Sequence, residues 1–318
     1  MKMYLSLRII VVVLTSIAVV SFLLFFDFGR SDSRIIDTIL SFGHLLLFGG
    51  VALVTLYIFN KGIWPCREKN QYIWSWVIIS SLGALTECVQ AFIPYRHFRL
   101  GDILTDSLGA AVFLTITYSF QKGVTHKGVT LLRNGLLVLM IMRAYPIFVA
   151  TVDTWNMEMN FPLLSSFESP LEMSRWSSKE GTMKRILLHA TDGAHALKVN
   201  LRPGMYPGIS LDYFVGDWRG YNLLSFDVFV EGTLPLKLSI RINDRKHNEE
   251  FMDRYNESFL LKTGHNHISV GLSEVRRSPI GRLMDMANIT VLCMFSYNLK
   301  EPRTVYFDNI RLEKYNHE

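Results

Sequence analysis

Six polar or ionisable side chains stand inside or at the edges of long apolar stretches in the first half of the chain: His44, Glu87, Gln90, Asp102, Asp106 and Arg143. Each is costly where lipid is the solvent, so each is a functional candidate by default. Glu87 and Gln90 are three apart and Asp102 and Asp106 four apart, spacings that place each pair on one helical face. Three carboxylates at one depth repel one another unless a cation or a proton intervenes. Arg143 is the intramembrane partner at hand, with Arg96 and Arg99 in the short loop above. In an enzyme, His44 or Glu87 would act as acid or base beside Gln90, Asp102 and Arg96. Arg96, Arg99 or Arg143 would then steady a phosphate or a developing anion on a lipid-linked envelope substrate, with Asp106 among the substrate-binding residues. In a binding protein the same groups would receive a lipid headgroup or join the helices as hydrogen-bonded glue.

Such residues need helices that cross a bilayer. About five apolar stretches are long enough at 1.5 Å per residue: Leu7–Phe26, Ile35–Phe59, Tyr72–Phe92, Asp102–Phe120 and Leu131–Thr151. Lys2 and Arg8, then Lys61, Arg67 and Lys69, then Lys122, Lys127 and Arg133 fall on one side of these spans. Arg30, Arg34, Arg96 and Arg99 fall on the other. The richer side is assigned to the cytoplasm, which puts the N-terminus inside and everything after the fifth span in the periplasm or outside the cell. Counted inward from the outer helix ends, Asp102 lies near the surface and the other five polar groups within about 6 to 14 Å of it.

The remaining features exclude more than they assign. The net charge of +5 comes without a basic run, which argues against a nucleic-acid partner. There is no Gly-rich phosphate loop, His-Glu-x-x-His helix or nucleophile elbow. Cys66, Cys88 and Cys293 have neither metal-ligand spacing nor obvious pairs. About five spans without a broken-helix repeat give a transporter little support.

The stretch Gly83-Ala-Leu-Thr-Glu87-Cys-Val-Gln90-Ala-Phe-Ile-Pro94-Tyr-Arg96-His-Phe-Arg99-Leu-Gly-Asp102-Ile-Leu-Thr-Asp106-Ser-Leu-Gly109 resembles the signature of the VanZ-like membrane proteins. Phe42-Gly-His44-Leu-Leu-Leu-Phe48 resembles that family's upstream histidine helix. The resemblance covers about residues 35–120 and departs at Asp106, where members often carry Asn. It implies an outward-facing polar pocket and a link to resistance against the glycopeptide antibiotic teicoplanin. It does not imply a reaction.

From Phe167 the texture changes to alternating residues punctuated by turns, as in Leu223–Val230, Leu236–Ile242, His267–Leu272 and Ile289–Phe295. That pattern predicts an antiparallel sandwich. Residues 1–152 are thus expected as a transmembrane domain, 153–164 as a linker and 165–318 as an exported all-β sandwich. Trp218, Tyr221, Asp244, Arg254, Tyr255 and Asn256 supply the aromatic faces and polar groups a sugar site needs. Read plainly, Trp218 and Tyr221 are edge-of-core aromatics and Asp253 to Asn256 a turn.

Phe167-Glu168, Trp218-Arg-Gly-Tyr221, Ile242-Asn-Asp244, Asp253-Arg-Tyr-Asn256, Gly264-His-Asn266 and the closing Val305–Leu312 resemble a jelly-roll, galactose-binding-like carbohydrate-binding module. The resemblance implies a glycan ligand and a structural calcium at the seam holding Glu168 and Asp308, with no other cofactor required. A salt bridge to Arg311 or Lys314 is the competing role for that seam. The expected partners are membrane lipid and an envelope glycan or lipid-linked glycoconjugate.

Overall fold

A computed structural model describes residues 33–64, 66–92, 100–122 and 126–315. The expected span Leu7–Phe26, and Arg96 and Arg99, lie outside the described residues. The chain divides into two compact units, 1–150 and 151–318.

Among the described residues the first unit holds helices α1 (Arg34–Asn60), α2 (Gln71–Gln90), α3 (Leu100–Lys122) and most of α4 (Lys127–Asn160). All four are long and apolar enough to cross a membrane. Large apolar residues lie exposed along them, among them Ile73, Leu85, Leu104, Leu131, Ile141 and Phe148. Water would penalise that surface and hydrocarbon does not. Small residues let the backbones close up, as membrane helices require. A Cβ on Gly109 of α3 would stand 2.1 Å from the Leu45 carbonyl oxygen of α1, and one on Gly49 would strike the ring of Phe113 at 2.5 Å. Phe48, Ala52, Leu56, Ile79, Ala110 and Leu114 form the core between α1, α2 and α3.

One expected boundary moves. The last span was set to end at Thr151, with a connector following, yet α4 stays helical to Asn160. Hydropathy marks where the solvent changes, and nothing in 152–160 breaks a helix. The stop comes at Phe161-Pro162, because proline disfavours helical geometry in the residue before it.

Among the described residues the second unit contains eleven strands: β1 (Leu163–Ser165), β2 (Trp176–Lys179), β3 (Gly181–Ile186), β4 (Ala196–Leu201), β5 (Gly208–Leu211), β6 (Leu223–Val230), β7 (Leu236–Asp244), β8 (Tyr255–Leu261), β9 (Gly264–Gly271), β10 (Ile289–Phe295) and β11 (Arg303–Glu313), with a short α5 (Leu272–Arg277). They form two antiparallel sheets. One runs β3-β4-β11-β6-β9 with β1 also on β11, and the other β2-β5-β10-β7-β8. Strand alternation sends Leu224, Phe226, Val228 and Val230 of β6 and Leu238, Ile240 and Ile242 of β7 into one core. Phe167, Trp176, Trp218 and Phe307 complete it.

The end of α4 is held within this second unit by a buried ion pair. Arg175 directs Nη2 to Asp153 Oδ1 at 2.7 Å and Nε to Oδ2 at 2.9 Å. It also donates to the backbone oxygens of Asp153 and Leu164. Arg175 is 3% exposed and Asp153 2%.

Candidate functional sites

In the helical unit, α1 contributes Ser41 and His44, α2 contributes Glu87 and Gln90, α3 contributes Asp102, Thr105 and Asp106, and α4 contributes Arg143. Glu87, Gln90 and Asp106 are buried. His44 Nδ1 lies 3.4 Å from Asp106 Oδ1, an ion-pair distance. The atoms are not aligned for a hydrogen bond, and neither Asp106 oxygen has a hydrogen-bond donor among the described residues. Asp106 fits because residue 83 is glycine, whose Cβ would meet Asp106 Oδ2 at 2.8 Å. Asp102 and Glu87 are close enough to act electrostatically on both His44 and Asp106.

Arg143 does not take the expected role of counter-charge to the carboxylates. It donates from Nε to Thr105 Oγ1 at 2.9 Å and from Nη2 to Ser41 Oγ at 3.0 Å. Two hydroxyls are the partners it reaches from α4: Ser41 on the face of α1 that carries His44, and Thr105 next to Asp106 in α3. Chemically the cluster brings together an imidazole and a carboxylate, two groups that can take up or release a proton.

In the sandwich, four of the expected sugar contacts sit elsewhere than expected. Trp218 is 1% exposed, belongs to the core and donates its indole N–H to the Val215 carbonyl, so it has no face to offer a sugar. Asp244 and Tyr255 fall on the core side of their strands' alternation and are buried. Tyr221 receives the edge of Phe161 at 5.4 Å and the Lys314 ammonium at 5.2 Å from its ring centre. Packing thus explains these residues.

Asp244 is one half of an acid pair bridged by Arg282, which donates from Nη1 at 2.6 Å and Nη2 at 2.8 Å. The same guanidinium holds Asp253 through Nε at 2.5 Å. Burial pushes the Asp244 carboxyl up, but the Arg282 bonds and the Asp285 amide outweigh it and the group ends below its ordinary value. Arg282 lowers Asp253 to about 2.

Glu168 and Asp308 do not fit a calcium. Glu168 Oε1 accepts the amides of Ala194 at 2.8 Å and His195 at 2.7 Å. Asp308 Oδ2 accepts those of Thr191 at 2.6 Å and Asp192 at 2.9 Å. Calcium needs oxygens directed at it, whereas N–H dipoles are directed here. The carboxylates clasp the 191–195 loop instead. Arg311 pairs with Asp192 at 2.8 Å, so neither expected partner, Arg311 or Lys314, is shown binding Glu168 or Asp308.

Arg254 and Asn256 do come together, on the outer face of the β2-β5-β10-β7-β8 sheet. The strand register lays Ser177, Ser210, Cys293, Arg241 and Asn256 in one row across it. The next row carries Phe295 and the hydrogen-bonded pair Ser239 and Ser258, 2.8 Å apart. Phe295 lies against Gly208, whose Cβ would stand 2.5 Å from that of Phe295. Tyr206 meets Phe295 edge-on at 5.8 Å and Tyr297 at a tilt at 5.5 Å, and the Lys179 ammonium lies 5.9 Å from the Tyr206 ring centre. At the β8 edge a groove of about 400 Å³ is lined by Phe251, Arg254, Tyr255, Asn256 and Glu257. Arg254 Nε and Asn256 Nδ2 are buried there without a hydrogen-bond partner among the described residues. Buried donors are rarely left so, and each such group calls for an explanation.

Arg241, Tyr206, Phe295 and Lys179 were not singled out from sequence. The signal for Arg241 was present, since Lys237, Ser239 and Arg241 alternate with core residues along β7. Tyr206 lies in a connection whose position depends on neighbouring strands.

No family model and no curated protein matches the chain. Among solved structures it is similar to a family 11 carbohydrate-binding module from Clostridium thermocellum in complex with a β-1,3-1,4-mixed-linked tetrasaccharide, at 18% identity and a TM-score of 0.41 over 49% of this chain and 96% of that one. It is also similar to an exo-β-agarase, at 15% identity and a TM-score of 0.42 over 49% of this chain and 25% of that one. A family 30 module of a cellulosomal cellulase of Clostridium thermocellum matches at 15% and 0.33, over 49% and 92%.

Proposed function

We propose that this chain is a membrane-anchored glycan-binding protein: the helices hold it in the cytoplasmic membrane with its N-terminus inside, and the sandwich, in the periplasm or outside the cell, binds an envelope glycan or lipid-linked glycoconjugate. The observation that carries this reading is the outer face of the five-stranded sheet. It combines flat aromatic rings, a row of hydroxyl, amide and guanidinium groups, and donors left without partners. Sugars need that combination, apolar faces for their C–H groups and fixed polar atoms for their hydroxyls. In the test, full-length protein in nanodiscs is applied to an array of envelope and plant-type oligosaccharides. We expect binding to at least one class, weakened about 3- to 10-fold by Tyr206→Ala, the range for losing one aromatic contact. An array without binding rejects the reading.

A second reading is favoured by one observation, the contact of His44 with an Asp106 whose oxygens lack donors. In it the bundle is an enzyme acting on a lipid-linked substrate, with His44 or Glu87 as acid and base. Glu87→Gln keeps the shape of the side chain and removes its charge. Release of headgroup from a radiolabelled lipid-linked saccharide in membranes containing the chain should fall by about 10²- to 10⁴-fold. Unchanged or absent release assigns the cluster to packing. The VanZ-like reading of residues 35–120 is part of this proposal and is supported by the gathering of His44, Glu87, Asp102 and Asp106.

A further inference from the structure

The outer face of the five-stranded sheet carries positive charge beyond what a neutral sugar requires. Arg241 faces Cys293 on β10 and Asn256 on β8, and Arg254 is two residues before Asn256 on the same side of its strand. That diagonal places two guanidinium groups within reach of one another. They do interact: burial first, and then the Arg241 charge, pull Arg254 below the usual arginine value. Lys179 and Lys237 add to the same side of the sheet.

Among the described residues no acidic group nearby forms an ion pair with Arg254, Glu274 of the same groove included. Glu249 lies 3.9 Å from Arg241, but its side chain is 86% exposed, where screening leaves such a contact weak. Glu257 is engaged by the hydroxyl of Tyr255. Asp253 is taken up by Arg282 and the amide of Asn248. Arg241 spends Nε on Asn243 Oδ1 at 3.1 Å, with His247 Nε2 3.3 Å from its Nη2. Arg254 makes no such commitment. Its guanidinium lies over the Phe251 ring, 5.1 Å from the centre, and its buried Nε has no partner. Contact with Phe251 restrains the guanidinium while its Nη groups donate no hydrogen bond among the described residues, the arrangement that suits recognition of a carboxylate or phosphate.

We propose that this face selects an acidic glycan, a saccharide bearing a carboxylate or phosphate, with the anion seated at Arg254 and Asn256 beside Arg241 and the sugar ring lying toward Tyr206 and Phe295. This rests on the glycan-binding reading above. Two orphaned donors on one strand, Arg254 Nε and Asn256 Nδ2, then acquire acceptors from a single substituent.

The experiment measures affinities of the full-length protein in nanodiscs for four probes: oligogalacturonate, its fully methyl-esterified counterpart, a glycerol-phosphate oligomer and a neutral mixed-linked β-glucan tetrasaccharide. At least one acidic probe is expected to bind about 10- to 100-fold more tightly than both neutral ones, the range for a charge-assisted hydrogen bond, and to weaken as salt is added. Which acid binds identifies the source of the anion. Arg254→Gln should erase that preference and Arg254→Lys should retain part of it, with thermal midpoints checked for both variants. Neutral and acidic probes binding equally, or Arg254→Gln leaving the preference intact, overturns the acidic-ligand inference and spares the glycan reading. If none of the four probes binds, the acidic-ligand inference falls, and the oligosaccharide array alone decides the glycan reading.

Discussion

Replacing Arg175 with alanine should destabilise the sandwich by about 3 to 5 kcal/mol, the cost of stranding one partner of a buried ion pair. Asp153 is 2% exposed and loses both charged contacts at once, while the Leu164 and Asp153 carbonyls lose donors. For a unit of this size the thermal midpoint should drop by about 10 °C. The informative comparison is the double variant Asp153→Leu/Arg175→Met. Removing both charges and keeping apolar volume should recover most of the loss, because desolvation of a buried pair offsets much of its attraction. If Arg175→Ala melts like the parent protein, the pair is not holding the end of α4.

Arg282→Ala should act through charge and therefore through pH. In the parent protein the folded-state values of Asp244 and Asp253 are depressed, the latter to about 2. A depressed carboxyl contributes stability above its unfolded value of about 3.9, and that contribution is lost as pH falls through the folded value. The cluster's share is therefore present at neutral pH and disappears between about pH 4 and pH 2. Without Arg282, Asp244 is a carboxylate 1% exposed with its main counter-charge gone, which should cost about 3 kcal/mol at neutral pH. Burial then raises its folded value, so acidification relieves the variant. The difference between parent and variant should shrink steadily as pH is lowered, measured by denaturant unfolding at pH 7, 5 and 3. A constant difference would show that Arg282 acts by packing alone.

Much of the framework was readable before any coordinates. The strands at Leu223–Val230 and Ile289–Phe295 have the ends that alternation predicts, and β7 extends its predicted segment only from Ile242 to Asp244. The helix expected at Ile35–Phe59 runs Arg34–Asn60. These elements are set by local periodicity against one solvent boundary, which a sequence displays directly. The site was less legible because it depends on neighbours. Which residues share the row with Asn256 is decided by the register of five strands, and a one-residue slip would have turned Arg241 inward. Arg143 bonds to Ser41 and Thr105, and that choice over a carboxylate is a matter of helix rotation. Trp218 illustrates the opposite error. Composition marks an aromatic next to a turn as a sugar platform, and only packing reveals a core residue.

The position of β11 has a consequence for the order of synthesis. It is the last of the described strands, yet it lies between β4 and β6 and also receives β1. Until residue 313 has been made, β4 and β6 have no common neighbour and each presents an open edge, the kind that pairs with other chains. The six-stranded sheet therefore cannot close progressively as the polypeptide emerges. It closes once, when its final segment arrives, and a chain cut short before Arg303 lacks the middle of the sheet and not merely its end.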